Sequence, residues 1–310
     1  MSDSYRGRFA PSPTGPLHFG SLLTAVGSYL QAKHHNGKWL LRIDDLDPPR
    51  EVPGASDNIR RTLEKFGLYW DEDVCYQSQQ APGYQAALEQ LKQKNLLYPC
   101  DCSRKTIQNQ GAIPGKIGLV YPGRCRHRND ILWENKAIRI RVLNKKQCMT
   151  DLLQGQLVQD LAKEVGDICL KRADGLFSYH IASVVDDNLQ GITEVVRGFD
   201  LLQCSPIQIY LQQCLNYTTP TYAHLPIVVN EHNEKLSKQT IAESVESREP
   251  ATLLFDILRL LKQNPPGSLI NATRDEILNW AIENWNLTAC KMQTIKLKPS
   301  RQANENRSII

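Results

Sequence analysis

Short apolar runs with the character of strands alternate with helical repeats along the first 95 residues, and this alternation limits the fold more than any other feature. Residues 5–9 and 38–43 have the composition of buried strands, and prolines follow both of them. Between them, apolar side chains recur every three or four positions after Gly20, as in an amphipathic helix. Repeats of strand, helix and strand are typical of βαβ units around a parallel sheet. The sequence therefore predicts an α/β fold.

Later segments carry three further local signals. The run 137–142 alternates strictly and predicts a half-exposed strand, and Asp174-Gly175 between two apolar runs predicts a hairpin turn. Ser205-Pro206 predicts a helix start, with the hydroxyl as cap and proline at the first helical position. Apolar runs predict strands at 192–196 and 225–229 and helices around 59–66, 253–261 and 277–285.

Composition excludes several classes of protein. The chain has 310 residues, 37 basic and 33 acidic, for a formal charge of +4, and a mean hydropathy of -0.42. No apolar run approaches the roughly 20 residues that span a bilayer, and the first residues lack the apolar core of a secretory signal. We therefore expect a monomeric cytoplasmic protein with no membrane contact, whose nine cysteines are thiols or metal ligands rather than disulfides.

The segment 8–21 joins the first strand to the first helix through a turn rich in proline and glycine. Such a junction presents backbone N–H groups and the positive end of a helix, and both attract an anion. Gly20 lets a flat ligand approach the backbone, and His18 can donate a hydrogen bond to a phosphate without a fixed charge. The segment therefore predicts a phosphate-binding turn.

With this turn, the sequence resembles the class I aminoacyl-tRNA synthetases of the glutamyl type. Residues 18–21, His-Phe-Gly-Ser, match the family's HIGH signature at the first and third positions, and the match extends upstream through Arg-Phe-Ala-Pro-Ser-Pro-Thr-Gly at 8–15. Lys-Leu-Ser-Lys-Gln at 235–239 is similar to the family's KMSKS signature and follows in the expected order. The blocks at 42–50 and 195–200 also resemble the family.

The resemblance implies an architecture of three parts. A Rossmann-like class I synthetase catalytic core is expected over residues 1–98 and 168–240. A zinc-containing insertion is expected over 99–167, where cysteine, glycine and proline are frequent, and a small helical C-terminal region over 241–310.

The reaction implied by the resemblance is the activation of L-glutamate by ATP with Mg²⁺, which yields glutamyl-adenylate and pyrophosphate. The catalytic residues would be His18, Gly20, Lys235 and Lys238, and His18, Gly20 and Lys238 would also bind ATP. Two lysines on a loop suit this reaction because negative charge builds on the leaving pyrophosphate.

A site for glutamate needs cations for two carboxylates and an anion for the ammonium group. The resemblance implies that Arg8, Ser12, Asp44, Tyr179 and Arg197 supply this set. Asp44 stands where the family usually has a glutamate, so the charge is kept while the side chain is shorter. The residues alone leave open which of the two arginines holds the side-chain carboxylate.

Three cysteines have the spacing of metal ligands: Cys100, Cys102 and Cys125. A closed structural zinc site needs four ligands, and His127, Tyr121 and Asp101 are the candidates for the fourth. Chemistry alone favours His127, whereas the resemblance implies Tyr121 through its phenolate oxygen. We follow the resemblance and expect one Zn²⁺ held by the three thiolates and Tyr121.

The resemblance covers residues 5 to about 240, and only about 70 residues follow, whereas discriminating glutamyl-tRNA synthetases continue into an anticodon-binding region. This short form is similar to a branch of the family that activates glutamate without tRNA and attaches it to the queuosine at the wobble position of tRNA(Asp). We therefore expect L-glutamate, ATP and tRNA(Asp) carrying queuosine as partners. Two alternatives stay open: a short enzyme that charges the 3′ end of tRNA(Glu), and a non-catalytic RNA-binding paralogue.

Overall fold

A computed structural model describes residues 4–230, 232 and 245–296 of the chain. The strands are β1 (Arg6–Phe9), β2 (Lys38–Ile43), β3 (Cys75–Tyr76), β4 (Leu97–Cys100), β5 (Pro114–Gly115), β6 (Gly118–Leu119), β7 (Ala137–Ile140), β8 (Lys146–Asp151), β9 (Gly155–Asp160), β10 (Cys169–Lys171), β11 (Glu194–Gly198), β12 (Thr221–Leu225), β13 (Ile227–Val229) and β14 (Thr294–Lys296). The α-helices are α1 (Phe19–His34), α2 (Ala55–Lys65), α3 (Ala81–Gln93), α4 (Arg104–Asn109), α5 (Leu161–Glu164), α6 (Tyr179–Leu189), α7 (Ser205–Leu215), α8 (Pro250–Leu260) and α9 (Arg274–Asn284). The predicted α/β class is confirmed.

Two sheets with parallel strands lie side by side. One has the order β1-β2-β3, and the other has the order β11-β12-β8-β9, in which β11 and β12 are parallel. The backbone N–H of Thr193, just before β11, donates to the carbonyl of Arg6 in β1 at 2.9 Å, so these two strands are neighbours. The chain thus runs from β1 outward to β2 and β3, and β11 and β12 later occupy the opposite side. A reversal of strand order of this kind leaves a crevice at the carboxyl ends of the strands, where α/β proteins bind ligands.

Helix α1 packs into a buried apolar cluster that it shares with β2, α8 and α9. Leu22, Val26 and Leu30 are fully buried and follow the predicted helical spacing. Trp39 of β2 belongs to the same cluster, and so does Ile277 of α9. The helices near the C-terminus therefore close the same core as the first βαβ unit.

The segment between β4 and β10 contributes to more than one sheet. Strand β7 pairs antiparallel with β4 and β10, while β8 and β9 form an antiparallel hairpin whose β8 meets β12 at Tyr222 and Asp151. This hairpin joins residues 146–160, which the sequence analysis assigned to the insertion, to the sheet that contains β11. Two-stranded pairs β13–β14 and β5–β6 complete the strand pairing of the described residues.

The hairpin predicted around Asp174-Gly175 is smaller than expected. The turn forms, since the N–H of Gly175 donates to the carbonyl of Arg172 at 3.0 Å, but only one antiparallel bridge, between Lys171 and Phe177, pairs the flanking residues. The chain then enters α6 at Tyr179, because the following apolar residues have helical spacing and are buried. The residues after the turn therefore form a helix with a buried face, and not the second strand of the predicted hairpin.

Ser205 begins α7, as predicted, but its hydroxyl does not cap the helix. The hydroxyl oxygen instead accepts a hydrogen bond from Nη2 of Arg197 at 2.8 Å. The Ser205 hydroxyl therefore binds a buried guanidinium and does not cap the backbone N–H groups of the helix, as the sequence pattern predicted it would.

No helix in the described part of the chain has the length and apolar character needed to cross a bilayer.

Gly37, between α1 and β2, lies against the backbone of Tyr5. A Cβ at this position would be 2.5 Å from the Tyr5 carbonyl oxygen, which also accepts the N–H of Lys38 at 2.9 Å. We predict that Gly37→Ala lowers the free energy of unfolding by about 2 kcal/mol, because the backbone must shift to relieve the contact. Urea denaturation measures this change. Gly267→Ala, where a Cβ meets no atom within 4 Å, is the matched control, and equal losses in both variants would contradict the prediction.

Candidate active site

A crevice of about 560 Å³ opens at the carboxyl ends of β1 and β11. Its walls are residues 9–12 at and after the end of β1, the first turn of α1, and Gly198, Asp200 and Leu201 at and after β11. Its volume lies within the range of about 300–1,000 Å³ that is usual for small-molecule sites. The crevice therefore lies at the reversal of strand order, with the N-terminus of a 16-residue helix facing it.

His18 and Gly20 meet at this helix N-terminus. His18 is the N-cap of α1, where its Nδ1 accepts the N–H of Ser21 at 3.3 Å and its Nε2 lies 3.0 Å from the Ser21 hydroxyl. Because Nδ1 accepts, the neutral ring carries its proton on Nε2. A Cβ at Gly20 would lie 3.3 Å from Cε1 of His18. The glycine therefore leaves room for the imidazole at the crevice.

Arg8 of β1 is held by a buried ionic network under the crevice. Its Nε and Nη2 donate to the two oxygens of Asp187 in α6, at 3.2 and 3.5 Å. Nη1 of Arg42 donates to the same carboxylate at 2.6 Å, and Nε of Arg42 donates to Asp44 at 2.9 Å. Burial alone would raise the pKa of Asp187, but Arg8 and Arg42 hold it below its usual range. Asp187 thus connects one candidate substrate cation, Arg8, to the guanidinium that holds the candidate anion, Asp44.

Too many carboxylates surround Arg42 for all of them to be equally well compensated. Asp186 lies 3.8 Å from Nε of Arg42 and accepts hydrogen bonds from Gln77 and Tyr84 at 2.7 and 2.9 Å. Burial raises the pKa of Asp186 to about 6 despite these partners. Burial also raises the pKa of Asp44, against the nearby charge of Arg42. A cation placed beside Asp44 would relieve this excess of negative charge.

Arg197 of β11 is 4% exposed and is balanced in a different way from Arg8. Its guanidinium donates only to neutral acceptors that include Nε2 of His224 at 3.0 Å, the hydroxyl of Ser205 at 2.8 Å and the hydroxyl of Tyr179 at 3.1 Å. No carboxylate of the described residues lies within ion-pair distance of it. Arg197 is therefore a buried cation with no direct carboxylate partner among the described residues, and Asp187 stabilises its charge only from a longer distance.

A smaller cavity of about 200 Å³ adjoins the crevice. Ser12 lines both cavities, while Asp44 and Tyr179 line the smaller one. Tyr179 contacts Arg197, and the buried network connects Asp44 to Arg8. The structure therefore places Ser12, Asp44 and Tyr179 on the cavity walls. Arg8 and Arg197 line neither cavity and are connected to these walls by the buried hydrogen bonds. The predicted catalytic residues Lys235 and Lys238 lie outside the described residues.

The three cysteines predicted as metal ligands converge. The sulfur atoms of Cys100, Cys102 and Cys125 lie within 4.8 Å of one another, and the last two are 3.5 Å apart. The hydroxyl of Tyr121 lies 3.4 Å from the sulfurs of both Cys100 and Cys102. Ligands of a tetrahedral zinc ion with bonds of about 2.3 Å are separated by about 3.8 Å. The donor set therefore fits a four-coordinate zinc ion.

Arg139 covers one side of this cluster. Its guanidinium stacks on the Tyr121 ring at 4.0 Å, and its Nε donates to the sulfur of Cys100 at 3.3 Å. Burial alone would raise the pKa of the Cys100 thiol, but its hydrogen bonds with Tyr121, the Cys102 backbone and Arg139 hold it below its usual value. His127 is exposed and does not belong to the group of potential metal ligands.

Sequence reasoning missed the residues that hold the binding groups in place. Arg42 and Asp187 connect the first arginine to the acid, and Asp151 and His224 lie behind the second. One signal was present, because an arginine inside the buried strand at 38–43 requires an anionic partner. That partner is Asp187, 145 positions later in the chain. Packing brings the two residues together, so the local sequence pattern does not indicate the pair.

Comparison with known proteins defines the class to which this site belongs. The family of catalytic domains described as tRNA synthetases class I (E and Q) matches residues 4–281. The chain therefore belongs to the class I tRNA synthetases of this type. A crystal structure of a glutamate tRNA ligase from Elizabethkingia meningosepticum in complex with its amino acid has the same fold, with a TM-score of 0.79 and 25% identity over 95% of this chain and 67% of that one.

Curated relatives narrow the assignment to one branch of this class. A glutamyl-Q tRNA(Asp) synthetase from Dechloromonas aromatica is 50% identical over 97% of this chain and 100% of its own length. Proteins of the same name from Synechococcus sp. and Neisseria meningitidis serogroup B are 50% and 49% identical, over 92% and 91% of this chain and 96% of each relative. The chain is a member of this glutamyl-Q tRNA(Asp) synthetase family.

Asp186 should make the stability of the protein depend on pH in a defined direction. Its native pKa of about 6 lies above its ordinary value of 3.8, so the native protein holds this proton more tightly than the unfolded chain does. The contribution of Asp186 to the free energy of unfolding therefore falls as the pH rises through this interval. We predict that the free energy of wild type minus that of Asp186→Asn decreases between pH about 4 and about 6 in urea denaturation. Asp57→Asn, at an exposed site of α2, is the control, and a difference for Asp186→Asn that does not vary with pH would contradict the prediction.

Proposed function

We propose that this protein activates L-glutamate with ATP in the absence of tRNA and transfers the glutamyl group to the queuosine of tRNA(Asp). The observation that carries the proposal is the Arg197 guanidinium, which is buried beside the acidic network around Asp44 and has only neutral hydrogen-bond partners among the described residues. A buried cation without an anionic partner is costly unless a ligand supplies the anion. An amino acid with a carboxylate side chain supplies it.

The two arginines suit different carboxylates of the substrate. The charge of Arg8 is already shared with Asp187, whereas Arg197 has only neutral partners. The side-chain carboxylate of glutamate stays anionic throughout the reaction, while the α-carboxylate loses its charge when it forms the anhydride with phosphate. We therefore assign Arg197 to the side-chain carboxylate, because its full charge is useful at every step.

Asp44 is assigned to the ammonium group of glutamate. Its carboxylate is fixed through Arg42, and burial raises its pKa, so an ammonium ion beside it restores charge balance. Ser12 and Tyr179 line the same cavity and offer hydroxyl groups to the substrate. These contacts leave the α-carboxylate directed toward the adjoining crevice, which Ser12 also lines.

ATP is assigned to that crevice, with its phosphates at the N-terminus of α1. The attacking α-carboxylate is already an anion, so the first step needs no protein base, and positioning and electrostatic stabilisation provide the catalysis. His18 is assigned to the phosphates by its resemblance to the family signature, with its Nε2 beside the Ser21 hydroxyl, and Gly20 keeps the approach to the helix N-terminus open. Lys235 and Lys238 are assigned to the leaving pyrophosphate by their resemblance to the family signature, and Mg²⁺ would neutralise phosphate charge when bound.

Zinc is assigned to the cluster of Cys100, Cys102, Cys125 and Tyr121. The fit rests on the convergence of three sulfurs and one hydroxyl oxygen. Arg139 supports it, because a guanidinium beside the Cys100 thiol favours the ionised form that binds a metal. A structural zinc ion here would hold the segment between β4 and β7 together.

The RNA that accepts the glutamyl group is assigned from the relatives, which are named for glutamyl-Q and tRNA(Asp). Unstacked anticodon bases are accessible to a protein cleft in a way that paired bases are not. A cytoplasmic location and a monomeric state remain predictions from the sequence.

Two measurements, made one after the other, test the proposed function. Glutamate-dependent exchange of pyrophosphate into ATP should proceed without tRNA, and no exchange by the metal-loaded protein would exclude the activation step. Radioactive glutamate should then label tRNA(Asp), and after nuclease digestion the label should be found on queuosine. Label on the terminal adenosine would show that the protein charges the 3′ end instead.

The zinc assignment predicts different effects of two substitutions. Tyr121→Phe should weaken zinc binding by about tenfold or more, because it removes one of four ligands and keeps the ring on which Arg139 stacks. His127→Ala should leave zinc binding unchanged, since His127 is exposed and outside the cluster. Competition with a chromophoric chelator measures both affinities. Loss of zinc in His127→Ala with full retention in Tyr121→Phe would reverse the assignment of the fourth ligand.

A further inference from the structure

Three buried residues from three neighbouring strands, Asp151, His224 and Arg197, are linked by continuous hydrogen bonds behind the proposed glutamate site. We call this arrangement the relay. Asp151 ends β8, His224 lies in β12, and Arg197 lies in β11. The side chains of Asp151 and His224 have no exposed surface, and Arg197 is almost fully buried. The relay therefore connects the β8–β9 hairpin to the arginine that we assigned to the substrate.

The contacts at both ring nitrogens determine the tautomer of His224. Nε of Arg197 donates to Nε2 of the imidazole at 3.0 Å, and a guanidinium N–H is always a donor, so Nε2 carries no proton. Nδ1 therefore carries it and donates to Oδ2 of Asp151 at 2.5 Å. The Ser205 hydroxyl, which accepts from Arg197, lies 3.2 Å from the same Nε2 and can donate to it.

The carboxylate of Asp151 is itself fixed. Its Oδ1 accepts three backbone N–H groups, from Leu153 at 3.0 Å, Gln154 at 2.9 Å and His224 at 3.3 Å. Only Oδ2 faces the imidazole. The orientation of this carboxylate is therefore set by the turn between β8 and β9 and by the backbone of β12.

We propose that Asp151 and His224 are positioning residues that hold the Arg197 guanidinium in the orientation that binds the side-chain carboxylate of the substrate, without neutralising its charge. This inference rests on the proposed function, which assigns Arg197 to that carboxylate. Neither residue is placed in contact with the substrate.

A neutral imidazole between the carboxylate and the guanidinium explains both halves of this role. A carboxylate bound directly to Arg197, as Asp187 is bound to Arg8, would compete with the substrate for the same charge. His224 instead provides a directional acceptor with no net charge. Burial, with the Arg197 charge adding to it, lowers the pKa of His224 to about 4 despite the Asp151 contact, so the ring stays neutral near pH 7.

Asp151→Asn is the decisive substitution, because it keeps the shape of the side chain and reverses one hydrogen bond. The three backbone N–H groups require an oxygen at the Oδ1 position, so the amide nitrogen must face Nδ1 of His224. The imidazole then accepts at Nδ1 and carries its proton on Nε2, where it opposes the N–H of Arg197. We expect the KM for glutamate in pyrophosphate exchange to rise by about tenfold or more, with the KM for ATP unchanged.

Nitrogen-15 NMR of histidine-labelled protein reads the tautomer directly. The His224 resonances should indicate a proton on Nδ1 in wild type and on Nε2 in Asp151→Asn. Asp160→Asn, a substitution of the same type at the end of the same hairpin, is the matched control and should change neither the tautomer nor the KM for glutamate. An unchanged tautomer and an unchanged KM in Asp151→Asn would overturn the relay.

A pair of substitutions at His224 tests the same inference if Asp151→Asn does not fold. His224→Gln places an amide oxygen near the position of Nε2, where it can accept from Arg197, whereas the shorter His224→Asn cannot reach it. We expect the KM for glutamate to stay within about threefold of wild type in His224→Gln and to rise by about tenfold or more in His224→Asn. Equal values in the two variants would overturn the relay.

The outcomes separate this inference from the proposed function. Wild-type protein without glutamate-dependent exchange would exclude the proposed function and, with it, the ligand assigned to Arg197. Normal exchange by wild type, with no effect of the Asp151 and His224 substitutions on the KM for glutamate, would overturn the relay alone.

Discussion

Two arginines at the ends of neighbouring strands are buried, and the way in which each charge is balanced determines the rest of the site. Arg8 shares the carboxylate of Asp187 with Arg42, and Arg42 in turn fixes Asp44. Arg197 receives only neutral hydrogen-bond partners. Since removing a charge from water costs several kcal/mol unless it is paired, the two sides of the site differ in what they require from a ligand. The side around Arg42 has an excess of negative charge that a cation would relieve, whereas the Arg197 side has a guanidinium without a direct carboxylate partner among the described residues.

The topology places these charges where a ligand can reach them. Strands β1 and β11 are neighbours although more than 180 residues separate them along the chain, and their carboxyl ends form the walls of the crevice. Helix α1 starts at the same edge, with His18 as its cap. In the proposed function, ATP and glutamate therefore bind at one reversal of strand order, in two cavities that share Ser12.

The segment between β4 and β10 supports this site from outside it. Its cysteine cluster fits a zinc ion that would order the loops around β5 and β6, while its β8–β9 hairpin delivers Asp151 to the buried side of β12. The hairpin was absent from the sequence-based expectations, since the buried positions of β8 include the polar residues Gln147 and Asp151, so its alternating burial is not visible as an alternation of apolar and polar residues. Contacts with α7 and β12, which are distant in the sequence, position these strands. Such contacts cannot be predicted from the local sequence pattern.

The sequence by itself determined the α/β class, the first two strands with the turn and helix between them, and the family. These features depend on local periodicity, or on motifs whose residues are close together in the chain. Only the tertiary structure decided that Ser205 binds Arg197 rather than capping its helix, that Asp187 connects Arg8 to Arg42, and that the two arginines have different hydrogen-bond partners. Each of these depends on which side chains are brought together from distant positions, because hydrogen bonds and ion pairs in a buried site are set by three-dimensional proximity and not by spacing along the chain.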